Sequence, residues 1–128
     1  MVLPLLESDL LTIMRACRNG TLADTEVKFS DGAACCVIMA SSGYPEHYEK
    51  GFAITMPAET AANTYVAGAK RDNGRLLTSG GRVLGVTATA ADLKSAVEKA
   101  YERVESVQFE NAFYRRDIGR RALEALKQ

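Results

Sequence analysis

TYVAGAKRDNGRLLTSGGRVLGVT, residues 64–87, is a run of short β-prone segments separated by turn pairs. Asn73-Gly74 between Thr64–Ala69 and Arg75–Thr78 is a strong hairpin signal, because the two central positions of a tight hairpin turn need residues that tolerate positive φ. Gly80-Gly81 marks a second turn, and residues 82–87 read as a further strand with Arg82, Leu84 and Val86 on one face. Immediately downstream, Leu93, Ala96, Val97, Ala100, Tyr101, Val104 and Val107 form a stripe at helical spacing, with Thr89 and Asp92 placed as a capping pair. Strands come first, helices last, and hairpins replace long crossovers. The expected class is therefore α+β, built on an antiparallel sheet with at least one helix covering a sheet face.

Upstream, Val27 and Phe29 alternate with polar neighbours, Asp31-Gly32 offers a turn, and Ala33–Ala40 is continuously apolar. This predicts a hairpin whose second strand is central and buried, with Cys35 and Cys36 on opposite faces of the sheet. SSGYPEHYEKG, residues 41–51, is rich in turn formers and reads as a fixed, bent loop. A short strand near Phe52–Thr55 and a loose segment around Pro57 follow. At the N-terminus, Ser8 is placed to cap a helix carrying Leu10, Leu11, Met14 and Cys17, with Asn19-Gly20 as its stop. That helix opens without a preceding strand or loop to position it, which raises the expectation that the chain begins inside a longer architecture. A last short helix from Asp117 aligns Ile118, Ala122 and Leu126.

With 128 residues, 47% of them hydrophobic, the chain is long enough for one domain with a real core. Sixteen basic side chains balance sixteen acidic ones, so no global field draws the chain to nucleic acid or to an anionic membrane. An anionic ligand must be met by a local cluster. Three cysteines without C-x-x-C spacing argue against a disulfide framework and a zinc site. No apolar run reaches the roughly 20 residues of a membrane span, and no signal peptide is evident, so a cytoplasmic protein is expected. Phosphate-loop, nucleophile-elbow and zinc-protease motifs are missing, and one histidine cannot build a His-rich metal site. No catalytic residue and no metal ligand are assigned.

His47 has the pKa range of a general base, but in a polar loop it reads first as a solvated side chain, as do Glu46, Glu49 and Lys50. Lys70, Arg71 and Arg75 flank the Asn73-Gly74 turn, and Arg82 follows Gly80-Gly81. A phosphate monoester needs two or three charge-assisted donors, and glycines let backbone amides approach its oxygens, so Gly81-Arg82 offers both kinds of donor at one point. The competing reading is a hairpin carrying solvated charges. Tyr114-Arg115-Arg116-Asp117 is a second cationic grouping, equally readable as surface charge ahead of a capping aspartate.

Four strings in order, PLLESDLL (4–11), GYPEHYEKG (43–51), TSGGRVLGVTA (78–88) and FENAFYRRDIG (109–119), resemble the C-terminal part of the phosphoribosylamine-glycine ligase family. The resemblance runs along essentially the whole chain. It implies an ATP-grasp ligase of purine biosynthesis that joins glycine to phosphoribosylamine, of which this chain is a fragment inactive by itself. It further implies that residues 1–22 are the end of the ATP-grasp domain with a connecting helix. Residues 23–128 would be a C-terminal domain with a small antiparallel barrel-like sheet, of barrel-sandwich hybrid type, flanked by helices. ATP and magnesium would be held by the intact enzyme ahead of PLLESDLL, leaving no cofactor in this part. Related purine enzymes hold the ribonucleotide phosphate with a lysine and a glycine-arginine pair; Lys70 and Gly81-Arg82 match those positions, with Gly80 and Gly81 allowing close approach. Two departures stand out. Val66-Ala67-Gly68-Ala69 replaces the family's H-A-G-T, losing an imidazole and a hydroxyl, and Ser41-Ser42-Gly43-Tyr44-Pro45 replaces S-G-G-Y-P. The implied partners are the remaining ligase domains and the phosphate of phosphoribosylamine, with self-association expected to hide any face those domains leave bare. The rival readings are a free-standing binding or scaffold module of the same fold and a purely structural domain.

Overall fold

Two nine-residue apolar strands, Ala33–Ser41 and Arg82–Ala90, pair antiparallel at the centre of the computed structural model, which describes residues 2–126. In chain order the elements are α1 (Leu10–Asn19), β1 (Ala33–Ser41), α2 (Ala58–Ala62), β2 (Thr64–Val66), β3 (Ala69–Asp72), β4 (Arg75–Thr78), β5 (Arg82–Ala90), α3 (Leu93–Glu105), β6 (Ala112–Tyr114) and α4 (Arg120–Ala125). Four strands form one sheet in the order β2-β5-β1-β6, and β3-β4 form a separate hairpin. All pairings are antiparallel, as expected for α+β. Both sheets of the described residues are open, so the barrel-like closure implied by the resemblance is not seen.

Cross-strand partners share a face of a sheet. Cys35, Val37 and Met39 lie opposite Ala88, Val86 and Leu84, and this face packs on Ala96, Val97, Ala100 and Val104 of α3. Val37, Met39, Leu84 and Val86 are wholly buried, each contributing about 1.5–3 kcal/mol of apolar burial. The other face carries Cys36 and Ile38 around Gly85, whose added Cβ would touch both at 3.4 Å. No helix among the described residues covers Ile38 or Tyr65 there, which are 46% and 54% exposed. Burial raises the pKa of both Cys35 and Cys36, so the thiols stay protonated.

Several expectations hold. Asn73 and Gly74 take positive φ of 46° and 80°, as the β3-β4 turn requires. Gly20, left-handed at φ 73°, ends α1, and α3 forms over its apolar stripe. Others need correction. Residues 25–31 form no strand: Phe29 makes only an isolated bridge to Leu6, and β1 takes β5 and β6 as partners instead. Thr64–Ala69 is two strands, broken at Ala67-Gly68, so β2 joins the main sheet and β3 joins β4. Residues 52–55 make isolated bridges rather than a strand, whereas the segment after Pro57 folds into α2.

The caps also differ. Asp9, not Ser8, caps α1 by accepting from Thr12 N at 2.7 Å; Ser8 Oγ instead accepts from Lys28 N. Asp92 caps α3 without Thr89, which lies in β5: its partners are Ser95 N at 2.9 Å and Ser95 Oγ at 2.7 Å. In α1, Leu10, Leu11 and Met14 stay exposed and only Ala16 is buried. No helix among the described residues is long and apolar enough to cross a membrane.

Met39→Ala removes a fully buried side chain from the centre of the sheet. It is expected to cost about 2–5 kcal/mol in urea unfolding with an unchanged slope, as large-to-small core substitutions do. The Ser95 side-chain bond, then its backbone amide, hold Asp92 below its ordinary pKa of 3.8. A carboxyl depressed in the folded state stabilises the fold above its unfolded pKa and loses that effect as pH falls through the folded value. Asp92→Ala should therefore melt below the parent at neutral pH, with the gap in Tm closing under acid conditions below pH 3.8.

Candidate functional site

At one end of the β1-β5 ladder three backbone segments cross at close range. The register slips between Met39 and Ala40: Met39 faces Leu84, but Ala40 faces Arg82, leaving Val83 as the extra residue of a bulge. Arg82 thus departs from its expected line with Leu84 and Val86, and is exposed while they are buried. Ser41 N donates to Gly81 O at 2.8 Å and Ser41 Oγ to Gly80 O at 3.1 Å. Gly68 N donates to Arg82 O at 2.8 Å, while Gly68 O accepts from Ser79 N and Gly80 N at 2.8 and 3.0 Å.

Such crossings tolerate no side chains. A Cβ on Gly68 would overlap the Arg82 carbonyl oxygen and lie 2.8 Å from Gly80 Cα. A Cβ on Gly81 would overlap the ring of Tyr44. Close backbone approach is one reason for glycine within sheets; it accounts for Gly68, whereas Gly81 makes room for the Tyr44 ring.

The crossing floors a cleft of about 470 Å³. Ile38 and Leu84 line it from the sheet, Ala67 and Gly68 from the β2-β3 link, Gly81 and Arg82 from the start of β5, and Tyr44 from the 41–51 loop. The loop is pinned at both ends: Tyr44 N donates to Ser41 O at 3.1 Å, and Gly51 N to Thr78 O at 2.8 Å. Phe52 N also donates to the buried Thr78 Oγ1 at 3.1 Å. Tyr44 meets Tyr48 edge-on, with ring centres 5.9 Å apart, and Lys50 Nζ lies 5.4 Å from the Tyr48 ring centre.

Of the four residues singled out in the sequence, Gly81 and Arg82 line the cleft. Gly80 lies behind it, with its amide committed to Gly68. Lys70 is exposed on β3 opposite Leu77 and is not among the lining residues. Arg71 and Arg75 are likewise exposed at the far end of that hairpin, and His47 is exposed in the loop. Sequence reasoning missed Tyr44, although Gly43-Tyr44-Pro45 as a fixed turn next to an apolar strand was its visible signal.

The second cationic grouping is built as a brace. Arg115 makes a two-pronged pair with Asp117 at 2.9 and 2.7 Å, and this bond holds the aspartate below its ordinary pKa. Asp117 therefore caps no helix; Gly119 precedes α4 without a side-chain cap. Tyr101 Oη donates to Arg115 O at 2.7 Å and accepts from Ile118 N at 3.0 Å, tying the turn to α3. Arg116 stacks over Tyr114, 5.1 Å from the ring centre. Among the described residues no group of three or more histidines, cysteines, aspartates or glutamates could hold a metal ion.

Gly68→Ala is expected to cost about 1–3 kcal/mol, the range for forcing extra carbon into a packed site. Amide shifts in an NMR spectrum should concentrate at Ser79 to Val83, the strand end that the new methyl group displaces.

A family model described as "Phosphoribosylglycinamide synthetase, C domain" matches residues 34–121. The chain is 44% identical over 126 residues to the phosphoribosylamine–glycine ligase of Chlorobaculum tepidum, covering 95% of this chain and 30% of that protein. It is also 44% identical over 124 residues to the bifunctional purine biosynthetic protein ADE1 of Schizosaccharomyces pombe, covering 95% of this chain and 16% of the other. The crystal structure of phosphoribosylamine–glycine ligase from Thermotoga maritima superposes with a TM-score of 0.72 at 39% identity, over 82% of this chain and 26% of that one. The chain spans less than a third of the length of each of these relatives.

Proposed function

From the premise that the chain belongs to the phosphoribosylglycinamide synthetase C-domain family, we propose that it is the C-terminal part of a cytoplasmic phosphoribosylamine–glycine ligase and completes the phosphoribosylamine pocket. In that reaction ATP phosphorylates the glycine carboxylate. The amine of phosphoribosylamine then attacks the acyl carbon and expels phosphate, leaving the amide bond of glycinamide ribonucleotide. In this reading ATP and metal belong to the rest of the ligase, and this part alone is inactive.

Its share is to bind and orient. The observation that carries this reading is Arg82 at the mouth of a cleft floored by glycine backbone, displaced from the core line by the bulge. An arginine fork suits a phosphate monoester, with charge-assisted bonds to two of its oxygens. Gly81 lines the cleft beside Arg82, and Gly80 supports it from behind, so that no side chain from either fills the approach of the phosphate. Lys70, on the neighbouring hairpin, would meet the phosphate from outside the cleft as a second cation.

The exposed apolar side chains of α1 support a boundary in which residues 1–22 close off the ATP-grasp domain and residues 23–128 form the C-terminal domain. The same exposure supports docking of the remaining ligase domains, or self-association where those are missing.

In the intact ligase, Arg82→Ala should raise KM for phosphoribosylamine about 10- to 150-fold, the equivalent of losing a charged hydrogen bond worth about 1.5–3 kcal/mol. KM for ATP should not move. Steady-state kinetics checks this, and an unchanged KM for phosphoribosylamine would leave the domain as a brace whose cations touch no ligand.

A further inference from the structure

Resting on the reading that Gly81 and Arg82 face a sugar phosphate, we propose that Tyr44 is the positioning and specificity residue of the same site, its ring forming the wall against which the sugar packs. The ring covers Gly81 so closely that any side chain at 81 would strike it. Yet the tyrosine keeps 41% of its surface exposed and lines the cleft. An aromatic ring fixed on one side and open on the other is a platform.

Its position is determined by more than one contact. The Tyr44 amide is bonded to Ser41 O, the Tyr48 ring abuts it edge-on, and the far end of the loop is tied to Thr78. Ser41 also holds the carbonyls of Gly80 and Gly81, so one residue sets both the platform and the floor beneath it.

The rest of the lining decides the ligand class. Ile38 and Ala67 present exposed apolar side chains, Leu84 is wholly buried toward α3, and Arg82 is the one charged side chain in the lining. A bare phosphate would satisfy the arginine and leave the apolar walls wet. A polyphosphate would bring more negative charge than one guanidinium can meet. A pentose monophosphate matches both parts, its anionic group at Arg82 and its less polar ring face on Tyr44, since pockets bind through apolar walls with few placed polar groups. Tyr44 thereby selects the sugar, while Arg82 selects the phosphate.

The test uses the intact ligase, with ribose 5-phosphate and inorganic phosphate as competitive inhibitors against phosphoribosylamine. Tyr44→Ala is expected to raise KM for phosphoribosylamine and Ki for ribose 5-phosphate roughly five- to tenfold, the scale of a lost aromatic contact. It should leave Ki for inorganic phosphate, KM for glycine and kcat within about twofold. Tyr44→Phe should behave as the parent. Tyr44→Leu, which keeps volume over Gly81 without a flat ring, should melt with the parent and still weaken ribose 5-phosphate. Gly81→Ala should reproduce Tyr44→Ala by displacing the ring, and the double variant should be no worse than Tyr44→Ala alone, the coupling expected of residues in direct contact.

Equal loss of both inhibitors in Tyr44→Ala and Tyr44→Leu would show that the ring only supports the loop, and would overturn the proposal. So would an unchanged Ki for ribose 5-phosphate. Failure of the underlying site reading looks different: Arg82→Ala would then leave both inhibitors unaffected, or neither would compete in the parent enzyme.

Discussion

The pairing of β1 with β5 is the constraint on which the rest of this structure depends. Both strands are apolar along nearly their whole length, and each needs neighbours on both edges and a cover on at least one face. β2 and β6 supply the edges, and α3 supplies the cover through Ala96, Val97, Ala100 and Val104. The small residues at 96 and 100 let the helix lie close to the sheet. Closeness here means that Met39 and Leu84, paired across the ladder, are completely dry. The ladder then ends at Ser41, whose amide and hydroxyl hold the carbonyls of Gly81 and Gly80. The floor of the cleft is therefore the last rung of the core ladder, tied to it by the two Ser41 bonds.

A charged residue sits at that rung without cost because of the bulge. In an uninterrupted register Arg82 would share a face with Leu84 and Val86 and be driven into the packed side of the sheet. The extra residue, Val83, is buried in its place, and Arg82 turns out to solvent. Bulges commonly re-aim a side chain near a functional site. The formal charge of the whole chain is zero, so attraction of an anion has to come from such a local arrangement.

Short-range signals in the sequence translated into structure where the required backbone is local. Asn73-Gly74 made its turn because both residues accept positive φ, and α3 formed where the apolar stripe was long and regular. Asp31-Gly32 carries a similar local signal, but the partner of β1 is chosen by which distant strand matches its apolar face, and β5 outcompetes the short, polar-interrupted segment at 25–31. The break at Gly68 was hidden for the same reason: it exists because that glycine must pass over Gly80 and Arg82. Elements of three and five residues, β6 and α2, carry too few positions to show a period. Adjacent candidates confused the caps, since Ser8 and Asp9 are both good cap residues and only the chain path selects between them. At the site, Gly81-Arg82 was legible as a pair of donor types. Lys70 was placed there by resemblance, and its strand carries it to the outside of the hairpin.

The open face of the sheet and the cleft are one surface. Ile38, on the face opposite α3, also lines the cleft, and Tyr65 and Phe113 extend the exposed apolar area from it across the edge strands. A face of this kind is stabilised when something covers it, because apolar area removed from water contributes about 25 cal/mol per Å². In the proposed ligase, a domain that covered Ile38 would also reach the cleft that Ile38 lines. On that reading docking and completion of the pocket would be a single event, in which burial of Ile38 and Tyr65 supplies the energy and Arg82, turned out of the core by the bulge, faces the enclosed space. The cleft beside Arg82 lies on this uncovered side, so a phosphate held there would sit at the boundary where the proposed partner domains dock.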